Sequence, residues 1–158
     1  MIKVGLLATV LISSTSFASQ LPNPTITPGA TRTADVKYIC TPGTSKKDRL
    51  VTESEKRRAY SQYGVPGNHQ GICSGPEGCE VDHLISLQLG GSNDIRNLWP
   101  QPYDGDWNAH HKDVLENKLH KLVCSGQLTL EDAQHAIASD WIKAYKQYVS
   151  PTMKDPRK

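Results

Sequence analysis

Apolar positions recur at helical spacing in two late stretches of the chain. Leu115, Leu119 and Leu122 fall on one stripe of a segment that Asn108 can cap. This predicts a helix running to about Val123 and stopped by Gly126. Thr129 opens a last helix with Asp132 in its third position; Ile137, Trp141, Tyr145 and Tyr148 give it a core face, and Pro151 ends it. Earlier, Thr52 to Glu55 forms a capping box and Gly64 a stop, which predicts a helix over 53–63. Between these helices the pattern changes. Residues 80–87 read as a strand running into Gly90-Gly91, and Asn97-Leu98-Trp99 as a second short strand ended by Pro100 and Pro102. Val36 to Cys40 reads as another short strand. Residues 64–78, with five Gly and two Pro, read as a loop. The expected fold class is α+β.

The N-terminus changes the context. One early cation (Lys3), an apolar run from Val4 to Ile12 and the small-residue end Ser16-Phe17-Ala18 have the layout of a secretory signal peptide over 1–18. The run is about half of the roughly 20 residues that a membrane span needs. Residues 19–35, with Pro22, Pro24 and Pro28, are expected to form a flexible arm, and 151–158 a frayed basic tail. The expected destination is the periplasm or the medium. The full chain has 158 residues, 18 basic and 16 acidic, for a net charge of +2. That is one domain's worth of chain, too balanced to grip a polyanion by bulk charge alone.

Export makes disulfides the default for the four cysteines. Cys73 and Cys79 flank a tight loop, which leaves Cys40 and Cys124 for each other. Two other pairings are open, as is a zinc site from Cys73, Cys79 and His83, although that spacing is not a common finger pattern.

Chemistry-bearing residues collect on the central unit. Glu80, Asp82 and His83 crowd within four positions; Asn97 and Asn108 follow. Asp82 and the side-chain oxygen of Asn108 suit a hard divalent cation. A histidine can take a proton from water near neutrality, and a helix N-terminus at Asn108 points N–H groups at an anion. Together these are parts for hydrolysing a phosphodiester.

The string Val81-Asp82-His83-Leu84-Ile85, then Leu89-Gly90-Gly91-Ser92-Asn93-Asp94-Ile95-Arg96-Asn97-Leu98-Trp99-Pro100, then Asn108-Ala109 with Lys112-Asp113 and Glu116, resembles HNH-type endonucleases of the His-Me finger superfamily, most of all a small exported bacterial subgroup. The close match covers about 80–124. The resemblance implies a nuclease domain over 36–150 with a ββα-metal core: a hairpin, a helix and one metal ion between them. It implies His83 as general base, Asp82 as acidic metal ligand, and Asn97 as a catalytic-loop brace that orients the base. Asn108 falls where the family ligates metal from the helix. Glu116, His110 and His111 are secondary candidates, and Arg96 and Lys112 are candidate phosphate contacts. There is no Cys-x-x-Cys zinc pair around the motif. The implied cofactor is one divalent metal ion, Mg or Mn. The implied partner is a nucleic acid substrate, DNA in the first place, with little sequence specificity.

Plainer readings stand beside these. Asp82 and His83 taken alone are a surface ion pair, and strict strand alternation puts them on opposite faces unless the strand ends or bulges there. Lys112 and Glu116 at i,i+4 also fit a helix-surface ion pair. Lys56, Arg57 and Arg58 read as a solvated face, His120 and His135 as ordinary exposed residues, Trp99 as core and Trp107 as a staple before the helix cap. His69 is uninformative. Two other functions are open: a non-catalytic exported binding module that keeps the scaffold, which the low net charge favours, and a toxin-like enzyme delivered to competitors.

Overall fold

The computed structural model describes residues 20–65, 73 and 75–150. The expected leader, the basic tail and His69 lie outside these residues. Among the described residues no helix is long and apolar enough to cross a membrane.

The architecture is mixed α+β. In chain order it runs α1 (Val36–Ile39), α2 (Thr44–Asp48), α3 (Glu53–Gln62), β1 (Cys79–His83), β2 (Leu98–Pro102), α4 (Ala109–Cys124) and α5 (Leu130–Tyr148). The strands form one antiparallel pair with Cys79 opposite Pro102 and His83 opposite Leu98. The capping box forms as the sequence predicts: Thr52 Oγ1 accepts from the Glu55 backbone N–H, and Glu55 accepts from the Thr52 backbone N–H. Asn108 and Thr129 cap α4 and α5 through their side-chain oxygens, which accept from the His111 and Asp132 N–H groups. The core lies between these two helices, where Leu115, Leu119 and Val123 meet Ala133, Ile137, Trp141 and Tyr145. Val123 rather than Leu122 completes the buried stripe. At Asp140 the backbone leaves the helical region (φ −165°, ψ 94°), and its carboxylate recaps the helix at the Lys143 N–H, 2.9 Å away.

Three expectations change. Val36–Ile39 is a helical turn, not a strand. Among the described residues no strand pairs with it, and Asp35 Oδ1 caps it by accepting from the Tyr38 N–H. The strand expected over 80–87 stops at His83. The Leu84 N–H still reaches the Asn97 carbonyl at 2.8 Å, after which the chain turns through a 3₁₀ turn at Leu87–Leu89. The second strand runs through Pro100 and ends at Pro102. The Leu98 carbonyl accepts from Thr27 Oγ1, while Asn97 and Tyr103 bond toward β1. Residues 98, 100 and 102 therefore point their backbone groups away from β1, where a missing N–H breaks no ladder bond.

Both disulfides, Cys40–Cys124 and Cys73–Cys79, are present. The first excludes the other two pairings, and the second removes the Cys73–Cys79–His83 zinc alternative.

Residues 20–35 are packed rather than loose. Thr27 is fully buried, and its hydroxyl lies 2.8 Å from Tyr63 Oη. Gly29 N–H donates to the Arg96 carbonyl, and Thr31 bridges Gly91. Trp141 Nε1 donates to the Gln20 carbonyl. The segment straps the 90–97 loop from outside.

That loop needs its glycines. A Cβ on Gly91 would sit 1.8 Å from the Ile85 carbonyl oxygen, and Gly90 adopts φ +75° with the Thr33 carbonyl oxygen 2.4 Å from where its Cβ would be.

Candidate functional site

The end of β1 opens into a pocket of about 180 Å³ lined by Asp82 and His83 from β1, Ser86 to Gln88 from the following turn, Glu116 from α4, and Ser45, Lys46 and Arg49 from α2 and the residue after it. Asp82 and His83 share this site because the strand ends there. Once pairing stops, the alternation that would separate them no longer applies.

A buried relay orients His83, which is 3 % exposed. Its Nε2 lies 2.8 Å from Asn93 Oδ1, and Asn93 Nδ2 donates to the Asp48 carbonyl at 2.8 Å. A carbonyl only accepts, so the Asn93 amide must turn its NH₂ toward Asp48 and its oxygen toward the imidazole. Nε2 therefore carries the hydrogen and Nδ1 keeps its lone pair. Burial is the main cause holding the imidazole pKa below its ordinary value; Lys112 and Arg49 push the same way, against Asn93 and Asp82. A neutral imidazole with one free nitrogen is the form that can accept a proton.

Asn97 stands behind the pocket and does not line it. It is fully buried and holds the 85–92 turn at both ends. Oδ1 accepts from the Ile85 N–H at 2.9 Å and the Ala30 N–H at 3.3 Å, and Nδ2 donates to the Ile85 and Ser92 carbonyls, each at 2.9 Å. It is a loop brace with no pocket-facing chemistry of its own.

Lys112 departs from both sequence readings. Neither a phosphate contact nor a surface ion pair describes a side chain with 0 % exposure. Its ammonium lies 2.6 Å from Asp82 Oδ2, 2.6 Å from the His83 carbonyl and 2.5 Å from Glu116 Oε1. Burial alone would lower its pKa, but Asp82 and Glu116 together outweigh that and hold it raised. Burial also pushes the Glu116 carboxyl up, with Asp82 adding to the shift and Lys112 opposing it. Glu80 and Asp113 are likewise raised, by burial first and then by Asp82. Carboxylates thus outnumber cations behind this wall of the pocket.

The donor chemistry fits a hard divalent cation, since Asp82 and Glu116 each give Lys112 one oxygen and line the pocket. Ser86 Oγ is buried in the pocket wall with no hydrogen-bond partner.

The remaining sequence candidates lie elsewhere. Asn108 Oδ1 caps α4 at the His111 N–H and also meets His111 Nδ1 at 2.9 Å, while Nδ2 donates to the Gly105 carbonyl; it does not line the pocket. His111 packs among Trp107 and Tyr145, and His110 stands 3.9 Å from Glu77 beside the Tyr103 ring. Arg96 is exposed and paired with Asp94 at 2.9 Å, which together with the Arg96 backbone N–H lowers the Asp94 pKa to about 2. Arg96 is no part of the pocket. Trp99 is core, at 1 % exposure, and Trp107 packs on Trp141 and Tyr145.

Sequence reasoning missed Lys46, Arg49, Ser86 and the Asp48–Asn93 relay. It also misjudged His120, whose Nε2 lies 3.1 Å from the Ile39 carbonyl and 3.4 Å from Cys124 Sγ. Cys40, His120 and Cys124 form a group with metal-ligand spacing, and its two sulfurs are bonded to each other. No family model, curated protein or solved structure matches the chain.

Proposed function

We propose that this protein is an exported endonuclease of the HNH type in the His-Me finger superfamily, hydrolysing phosphodiester bonds of nucleic acid, DNA in the first place, with one divalent metal ion. The observation that carries this reading is a single pocket in which a buried neutral imidazole with a free Nδ1 stands beside two carboxylates and two cations. The order of an antiparallel hairpin, β1 and β2, followed by α4 supports the reading of a ββα-metal core.

Each residue has a task on this reading. His83 Nδ1 takes a proton from water, and the resulting hydroxide attacks phosphorus. The P–O bond to the departing sugar oxygen breaks, and that oxygen takes up a proton from solvent. Lys46 and Arg49 hold the phosphate charge at the rim. Asn93 and Asp48 keep the imidazole in the tautomer that can act as base. Asp82 and Glu116 would hold the metal, Mg or Mn. When bound, that ion supplies charge stabilisation at the phosphate and the leaving oxygen. Asn108, engaged in capping, is left out of the ligand set. Two disulfides suit a periplasmic or secreted protein.

A second reading is a binding module that keeps the scaffold without catalysis. The placement of Asn108 outside the pocket and of Lys112 between the two carboxylates favours it. One experiment separates the two. The oxidised protein is incubated with plasmid in Mg²⁺ or in EDTA beside His83→Ala. The nuclease reading expects metal-dependent nicking that falls about 10²- to 10⁴-fold in His83→Ala, with unchanged far-UV circular dichroism. Equal nicking by His83→Ala removes the base; no nicking in any divalent metal leaves the binding module.

A further inference from the structure

The Lys112 ammonium has three hydrogens to donate, and three oxygens take them: Asp82 Oδ2, the His83 carbonyl and Glu116 Oε1. The side chain is 1 % exposed. No donor remains for a substrate phosphate. Two of the three acceptors are the carboxylates that also line the pocket and suit a hard cation. An ammonium and a divalent ion drawn to the same carboxylates repel each other strongly at such range. Lysine carries its charge on a flexible four-carbon stem, so a change of rotamer moves Nζ by several ångströms with no movement of α4.

We infer that Lys112 is the resident cation of this oxygen cluster, neutralising Asp82 and Glu116 until a divalent metal arrives and releasing them when it binds. The inference rests on the metal-dependent reading of the pocket and adds an exchange of cations to it. It separates Lys112 from a mere tie between β1 and α4, because a tie stays closed when metal is added. It also gives Lys112 a defined effect on metal affinity: the ammonium competes with the ion, so wild-type protein binds metal more weakly than its carboxylates alone would allow.

Two measurements test it without relying on cleavage. In the first, the oxidised wild-type protein is treated briefly with acetic anhydride in EDTA or in Mg²⁺, and acetylation of each lysine is read by mass spectrometry. Lys112 is expected to be protected in EDTA relative to exposed Lys121, and to react several-fold faster in Mg²⁺ while Lys121 does not change. In the second, Mn²⁺ binding is followed by electron paramagnetic resonance. Lys112→Met is expected to bind roughly tenfold more tightly than wild type, since a competing charge has been removed. Should Lys112→Met not fold, the labelling of the native chain decides the matter alone. Protection of Lys112 that is unchanged at a Mg²⁺ concentration supporting plasmid nicking overturns the exchange and leaves the nuclease reading standing. Equal or weaker Mn²⁺ binding by a folded Lys112→Met also overturns it. Release of Lys112 by metal without any nicking keeps the exchange and removes the nuclease.

Discussion

Helix α4 buries two faces of opposite character. Toward α5 it offers Leu115, Leu119 and Val123, packed against Ile137 and Trp141 with no charge to satisfy. Toward β1 it offers Lys112, buried as deeply but held by Asp82 and a backbone carbonyl, and Glu116 at the pocket wall. The apolar face is held by area removed from water, a term that accumulates over many contacts and tolerates small losses. The polar face depends on matched charge, and removing one member leaves another buried without a partner. The first face builds the scaffold, and the second bears on chemistry.

The difference is sharpest when each face loses one side chain. Lys112→Met is expected to lower unfolding free energy by about 3–5 kcal/mol in EDTA, the usual cost of breaking a buried ion pair. Leu119→Ala is expected to lose about 2–5 kcal/mol through a cavity. Urea melts across pH tell the two apart. Burial already raises the Glu116 carboxyl, and losing Lys112 removes the charge that pulls it down. A carboxyl whose folded pKa exceeds its unfolded one costs stability as pH rises past the unfolded value. The Lys112→Met deficit therefore shrinks as pH falls toward about 4, whereas the Leu119→Ala deficit stays level. Parallel pH profiles would erase the distinction between the faces.

The next effect concerns what fastens the cation-bearing rim to α4. Cys40 follows α1 and is bonded to Cys124 at the end of α4, 84 residues away in sequence. Replacing both by Ser is expected to cost about 4 kcal/mol, from the loop entropy returned to the unfolded chain. It should also weaken nicking, because α1 and α2 lead to Arg49 and to the Asp48 carbonyl that sets Asn93 and His83. A double mutant that melts lower yet nicks like wild type would show that the rim holds its place unaided.

The smallest effects compare two arginines. Arg49→Ala is expected to lower kcat/KM for plasmid by roughly 10- to 100-fold, because Arg49 lines the pocket. Arg96→Ala, an exposed partner of Asp94, is expected to stay within about twofold. Equal losses would mean that substrate extends over the outer loop.

The same contrast explains what the sequence could reveal. The apolar face of α4 is legible because Leu115 and Leu119 repeat at helical spacing, and the caps Thr52, Asn108 and Thr129 are legible because each bond is local. The buried character of Lys112 is not legible. An i,i+4 Lys–Glu pair looks the same on a solvated surface, and only the approach of β1 tells them apart. His83 and Asn97 stand out by residue type on the central unit, and the role of each, base and brace, comes from the resemblance rather than from periodicity. Asn108 was singled out for its position at the start of α4, and its oxygen is taken up by capping there. Lys46 and Arg49 were missed because a five-residue helix leaves no periodic trace, and nonlocal packing alone brings it to the pocket. The Asp48–Asn93–His83 relay begins at a backbone carbonyl, which no side-chain pattern records. Val36–Ile39 misled for the opposite reason: Val, Tyr and Ile favour strands, but with no neighbour to pair with, the Asp35 cap decides.

Pro100 and Pro102 have a consequence for how copies of this molecule meet in solution. A two-stranded ribbon leaves each strand one open edge, and an open edge invites a strand from another molecule. On β2 that edge lacks amide hydrogens at two of its positions, and Thr27 covers the carbonyl of a third. All five residues of β2 are also buried, so an incoming strand finds little on this edge to register with.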